Sequence, residues 1–132
     1  MALPTPDRRA AARFEVVIEA RLLSADGGNF AAMIRNISSS GLLASVAAGD
    51  VAALLPNVER ELRHLPVRVL VAFTAGEAWI EVECGIAQLR RVSATGCELG
   101  LQFRDFRDDG AARLDEFCAR LGAAFAHPGA DP

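Results

Sequence analysis

Two short polar motifs contain the residue types that bind anions and purine bases. The first, RRAAAR, places Arg9 and Arg13 four residues apart near the N-terminus. The second, NISSSG, contains Asn36, Ser38 and Gly41. The composition predicts about one arginine pair at this spacing by chance, but only about 0.01 matches to NxSxxG. The second motif is therefore the more specific signal.

The spacing within each motif allows its side chains to act together. Residues four apart lie on one side of a helix, and residues two apart lie on one face of a strand. Arg9 and Arg13 can thus converge, Asn36 and Ser38 can share a face, and Gly41 permits a positive φ or a close approach of the backbone. Guanidinium groups bind phosphate and the O6/N7 edge of guanine, and amide and hydroxyl groups complete the set. The motifs together predict a site for an anionic guanine ligand.

The elements that must position these motifs are mostly strands. Alternating apolar residues from Phe14 to Leu22 predict the first strand, and an Asp-Gly-Gly turn follows at 26–28. Five more strands are expected at about 30–38, 42–46, 67–73, 80–86 and 98–104. Six short strands without helices between them indicate a mainly β fold, either a sandwich or a barrel.

The segments outside the six strands predict a helix, a long connection and two terminal segments. After Asp108 and Asp109, apolar residues recur at helical spacing as far as Phe125, which predicts one C-terminal helix. The stretch between Gly49 and Pro66 predicts a long, partly helical connection and is a candidate partner or dimer surface. We therefore expect a flexible segment 1–13, a folded domain 14–125 and a tail 126–132.

The composition narrows the class of function. A net charge of −3 and the absence of tyrosine argue against a nucleic-acid module, which needs a basic groove and stacking residues. No secretory or membrane-spanning run is present, so we expect a cytoplasmic protein without membrane insertion. Cys84, Cys97 and Cys118 lack ligand spacing, which predicts reduced core residues and no metal site. Ser38 has no evident histidine partner, so we expect no catalytic residues and no enzymatic activity.

The order of the motifs resembles the PilZ family. RxxxR precedes the first strand, (D/N)xSxxG follows about two dozen residues later, and ELGLQF lies in a later strand. The resemblance implies a six-stranded antiparallel Greek-key β-barrel with a C-terminal α-helix. It also implies a receptor for cyclic di-GMP that needs no cofactor, in which Arg9 and Arg13 grip phosphates and guanine. Asn36, Ser38 and Gly41 would hold a guanine at the barrel surface.

The resemblance has further implications for the ligand and the output. Arg8 stands where an arginine favours an intercalated ligand dimer, and Asn36 stands where an acidic residue is commoner, which removes a charge-assisted hydrogen bond. We expect the ligand to order the N-terminal segment and to alter a surface seen by a downstream protein, which the sequence does not identify. The alternative is a PilZ-fold interaction scaffold for pilus or motility assembly with weak or no nucleotide binding. Whether the chain forms a homodimer is left open.

Overall fold

Six strands dominate the structure, a computed structural model that describes residues 12–54 and 67–126. The strands are β1 (Phe14–Leu23), β2 (Asn29–Ile37), β3 (Gly41–Ala47), β4 (Val67–Ala75), β5 (Ala78–Arg91) and β6 (Gly96–Phe106). The helices within this part of the chain are α1 (Ala48–Leu54) and α2 (Gly110–Ala126). Every predicted strand is present, and so is the predicted C-terminal helix.

The strands close into an antiparallel barrel with the order β1-β2-β3-β6-β5-β4. Strand β4 returns to pair with β1, so the first four strands have the spatial order 4-1-2-3 of a Greek key. This confirms the predicted six-stranded barrel. The connection from β3 to β4 contains α1, as its partly helical pattern predicts, and residues 55–66 of that connection lie outside the described residues.

Alternating side chains explain how β1 joins the barrel. Ala20 and Leu22 are buried inside, whereas Glu19 and Arg21 are exposed outside. The turn after β1 lies at the predicted position, and Gly27 has a φ of 97°, a conformation that glycine adopts readily. The first hairpin is therefore fixed by the period of β1 and by its glycine turn.

The hairpin of β5 and β6 is longer than predicted. Beyond Ile86 the residues of β5 are mostly exposed, so the strand continues without an inward apolar pattern. Cross-strand contacts support this extension: Arg90 Nη2 lies 2.6 Å from Glu98 Oε1, and Arg91 donates hydrogen bonds to the carbonyls of the hairpin tip. A search for alternating hydrophobic residues does not detect a strand of this kind.

The core fills the barrel and is closed by the second helix. Its largest side chains with at most 1% exposure include Leu22, Ile34, Phe73, Ile80 and Leu99. Helix α2 begins directly after Asp109, in agreement with the predicted N-terminal signal, and lies against β1, β4 and β5. Its Leu114 is 1% exposed, and burial of a leucine side chain contributes about 1.5–3 kcal/mol.

The cysteines are free thiols of the core and its edge. Cys84 and Cys97 are buried as predicted, and Cys118 is half-buried on α2. Burial, with a smaller effect of the Glu83 carboxylate, raises the pKa of Cys84 to about 12. In the described ranges no group of three or more histidine, cysteine or acidic residues is placed to hold a metal, and no helix there is long and apolar enough to cross a membrane.

Candidate ligand-binding site

The two polar motifs meet at one end of the β1–β2 pair. Arg13 directly precedes β1, and Asn36 is the penultimate residue of β2, where it is in register with Glu15. Arg13 Nη1 donates a hydrogen bond to Asn36 Oδ1 with an N···O distance of 2.5 Å. Arg13 is exposed and Asn36 is half-buried. The barrel therefore brings one residue of each motif into direct contact at the surface.

Irregular strand pairing shapes the surface beside this contact. Strand β1 has an extra residue between Glu15 and Ile18, and β2 has Arg35 as an extra residue opposite β3. Such bulges redirect side chains and are common near binding sites. Arg35 is exposed and Val17 is 71% exposed. An open groove of about 600 Å³ results, lined by Glu15, Val16, Val17, Arg35 and Asn36.

Ser38 is buried and holds the turn between β2 and β3. Its side chain belongs to a residue with 1% exposure. Its Oγ accepts hydrogen bonds from the amides of Ser40 and Gly41 at 3.1 and 3.2 Å and lies 3.3 Å from the Gly41 carbonyl oxygen. The strand alternation that predicts a shared face for Asn36 and Ser38 does not reach Ser38, because β2 ends at Ile37, and Ser38 is buried whereas Asn36 is half-buried.

Gly41 is needed because two strands approach closely. A Cβ atom at this position would lie 2.2 Å from the carbonyl oxygen of Leu101 in β6. Gly41 is not among the glycines with a positive φ, which in the described ranges are Gly27 and Gly76. Of the two expected reasons for a glycine, close approach is therefore confirmed and positive φ is wrong.

A family comparison identifies the family to which this barrel belongs. Residues 7–120 match the PilZ domain. The chain belongs to the PilZ family. No curated protein sequence matches it.

Solved PilZ structures are similar in fold at low sequence identity. The match to the PilZ domain of YcgR from Escherichia coli with c-di-GMP covers 94% of this chain and 98% of that domain. The sequence identity is 14% and the TM-score is 0.65. The MrkH–c-di-GMP complex of K. pneumonia has 17% identity and a TM-score of 0.67 over 92% of this chain and 55% of MrkH. MotI, the inhibitor of motility of Bacillus subtilis, has 15% identity and a TM-score of 0.63 over 88% of this chain and 51% of MotI. The chain thus spans about half the length of MotI and MrkH.

Part of the predicted PilZ site lies outside the described residues. Arg8 and Arg9 belong to residues 1–11, as does most of the predicted flexible segment 1–13, and residues 127–132 of the predicted tail are likewise outside. The ligand-binding roles of all six predicted site residues and the domain bounds stay predictions. Of the six predicted site residues, the structure brings Arg13 and Asn36 together and places Ser38 and Gly41 in the adjoining turn.

Two residues outside the PilZ motifs line grooves at or next to the contact between Arg13 and Asn36. Arg35 lines the groove beside Asn36. Trp79 on β5 is 50% exposed, and its indole Nε1 donates to Glu81 at 2.9 Å. A second groove, of about 500 Å³, runs between Val17 and Trp79 and shares Val17 with the first. The alternation of side chains along β5 could have indicated that Trp79 points outward, because its neighbour Ile80 is an inward core residue.

Proposed function

We propose that this PilZ protein is a receptor that binds cyclic di-GMP in the groove beside Arg13 and Asn36. Membership in the family supports this ligand, and the related PilZ structures of YcgR and MrkH contain it. The observation on this chain that carries the proposal is the hydrogen bond between Arg13 and Asn36. It supports a single site because it joins one residue of each motif at the edge of one groove.

Binding would exchange this internal hydrogen bond for bonds to the ligand. The Oδ1 atom of Asn36 now accepts from Arg13, and guanine N–H groups are donors of the same kind. Once released, the Arg13 guanidinium has the planar fork that matches phosphate oxygens or the O6/N7 edge. Arg35 adds an exposed cation that lines the groove and is in none of the ion pairs among the described residues. The groove thus contains donors and acceptors for both parts of the nucleotide.

The neighbouring groove provides a surface for the second part of a long ligand. The indole of Trp79 is half exposed, and Val17 separates it from the Asn36 groove. Purine bases stack on aromatic faces with about 1–3 kcal/mol per base. We therefore assign Trp79 to the stacking of a guanine, with Arg8 and Arg9 as additional phosphate or guanine ligands.

Ser38 and Gly41 would act mainly through the shape of the turn. The hydroxyl of Ser38 bonds to the backbone of the turn, and Gly41 allows β3 to lie against β6. Both residues keep the end of β2 in place, and with it Asn36. The receptor would catalyse no reaction, and its output would be a ligand-dependent surface recognised by a downstream protein.

Calorimetric titration with cyclic di-GMP tests this proposal, with GTP and linear pGpG as control ligands. Arg13→Ala and Asn36→Ala should each weaken binding by about tenfold or more, since each removes a direct polar contact. Arg13→Lys should restore little, because lysine keeps the charge but lacks the fork. Arg90→Ala is the matched control, since Arg90 is an exposed arginine that pairs with Glu98 in the β5–β6 hairpin.

Two results would contradict the proposal. A parent protein that shows no heat of binding and no ligand-dependent change in melting temperature up to about 100 μM cyclic di-GMP would favour the scaffold function instead. Equal affinities of the parent and the Arg13→Ala/Asn36→Ala double variant would place the ligand elsewhere.

A further inference from the structure

Part of the outer face of β2 and β3 carries small and apolar side chains, although a sheet face in water is ordinarily polar. This patch consists of Ala31, Met33, Ser45 and Ala47, with Ser45 as its one polar member, and we call it the alanine shelf. Ala31 and Ala47 are exposed, although alanine is depleted in strands and these positions gain nothing from core packing. The shelf forms the floor of an open cavity of about 530 Å³.

Opposite charges flank the alanine shelf on opposite sides. Arg21 of β1 is in register with Ala31, and Asp50 of α1 follows Ala47 at the other side. Both residues line the cavity. Neither has an ion-pair partner among the residues that the structure describes. As far as the described residues go, the two charges are therefore left for a molecule that covers the shelf.

The guanidinium of Arg21 is oriented in advance. Its Nε donates a hydrogen bond to Asn29 Oδ1 at 2.8 Å. This bond fixes the plane of the side chain, and within the described residues it leaves the two Nη groups without an acceptor. An oriented arginine loses less conformational entropy when it pairs with a carboxylate.

We propose that two copies of this chain associate through their alanine shelves around a two-fold axis. The axis lies in the plane of the interface, between β2 and β3, and is parallel to these strands. This rotation places Arg21 of each copy opposite Asp50 of the other. The small side chains of the shelf allow the two sheets to approach closely, and Met33 of each copy contacts the shelf of the other. The proposal does not depend on nucleotide binding.

Charge complementarity selects a second copy over other partners. A partner with a single sign of charge would meet one attractive and one repulsive group, whereas a second copy presents an acid to the arginine and an arginine to the acid. The remaining acid at the rim is Glu19, which would face the partner copy's Glu98. The charge of Glu98 is offset by Arg90, whose Nη2 lies 2.6 Å from its Oε1.

Sedimentation equilibrium between about 10 μM and 1 mM protein tests this association, because a small patch supports only a weak dimer. The parent should show a monomer–dimer equilibrium. Arg21→Asp and Asp50→Arg should each weaken it by about a hundredfold, since each substitution disrupts two contacts of roughly tenfold each. An equimolar mixture of the two variants should form dimers again. In such a mixed dimer one contact joins the introduced aspartate to the introduced arginine, and the other joins the original Arg21 to the original Asp50.

Controls separate this dimer from nonspecific effects. Arg104→Asp and Asp115→Arg change exposed charges outside the shelf and should leave the equilibrium unchanged. Circular dichroism and urea unfolding of each variant check that the barrel is intact. A parent that is monomeric up to 1 mM, a dimer insensitive to either charge reversal, or a mixture that stays monomeric would each overturn the proposal.

Discussion

Substitution of Gly41 by alanine should disrupt the seam between β3 and β6. The added Cβ would lie 2.2 Å from the Leu101 carbonyl oxygen, whereas carbon and oxygen atoms of neighbouring strands approach to about 3.3 Å. The strands must therefore separate by about 1 Å. This shift strains the bonds from Ser38 N to Gly41 O at 2.9 Å and from Phe103 N to Ser40 O at 3.0 Å. We expect a loss of about 3 kcal/mol, at the upper end for an overpacked site.

Equilibrium unfolding in urea measures this loss, with the melting temperature as a second readout. For a domain of this size, 3 kcal/mol corresponds to a decrease of about 10 °C. Gly49→Ala is the matched control, because a Cβ at Gly49 has no neighbour within 4 Å and alanine favours a helix such as α1. A Gly41→Ala variant within about 0.5 kcal/mol of the parent would refute the steric argument.

Three further measurements address the turn, the core and the ligand. Ser38→Ala should lower the free energy of unfolding in urea by about 1–3 kcal/mol, because the amides of Ser40 and Gly41 lose their acceptor. Asn36→Ala should lower it by less than about 0.5 kcal/mol, and equal losses for the two variants would contradict this argument. The pKa of Cys84 is raised from 9.0 to about 12, so the folded state retains the proton and stability should fall as the pH rises between these values, by up to about 1.4 kcal/mol per pH unit. The chain contains no lysine or tyrosine to mask this slope, and burial, with a smaller effect of Asp115, also raises the pKa of Cys118, which adds a slope of the same sign. A slope that is unchanged in Cys84→Ala would exclude the Cys84 thiol as a contributor. Calorimetry at protein concentrations well above the dissociation constant should give about two cyclic di-GMP molecules per chain for the parent and about one for Arg8→Ala. A value of about one for both proteins would contradict the ligand dimer.

The barrel could be predicted because its inward residues follow the period of a strand. In β4, for example, Val69, Val71 and Phe73 are at most 3% exposed, and they are the residues that define its alternating pattern. The closing helix was equally predictable from the spacing of residues such as Leu114. Both signals arise from burial of one face, which is the property that hydrophobic periodicity records.

The finer geometry of the site could not be predicted, because it depends on pairing between distant strands. The bulges that expose Val17 and Arg35 arise from the register of β1, β2 and β3. The steric need for Gly41 arises from Leu101, far away in the sequence. The burial of Ser38 was not predictable from strand alternation, because β2 ends at Ile37. Local patterns contain none of this information.

The structure changes what the NxSxxG motif indicates about function. Ser38 and Gly41 serve the barrel itself, through the hydrogen bonds of the turn and the close approach of β3 to β6. A PilZ-fold scaffold without a nucleotide would therefore need them as much as a receptor does, and their presence does not separate the two functions. Arg13 and Asn36 are different, because they lie at the surface and, within the described part of the chain, hydrogen bond to each other. A scaffold has no structural need for this pair, so the case for a receptor depends on Arg13 and Asn36.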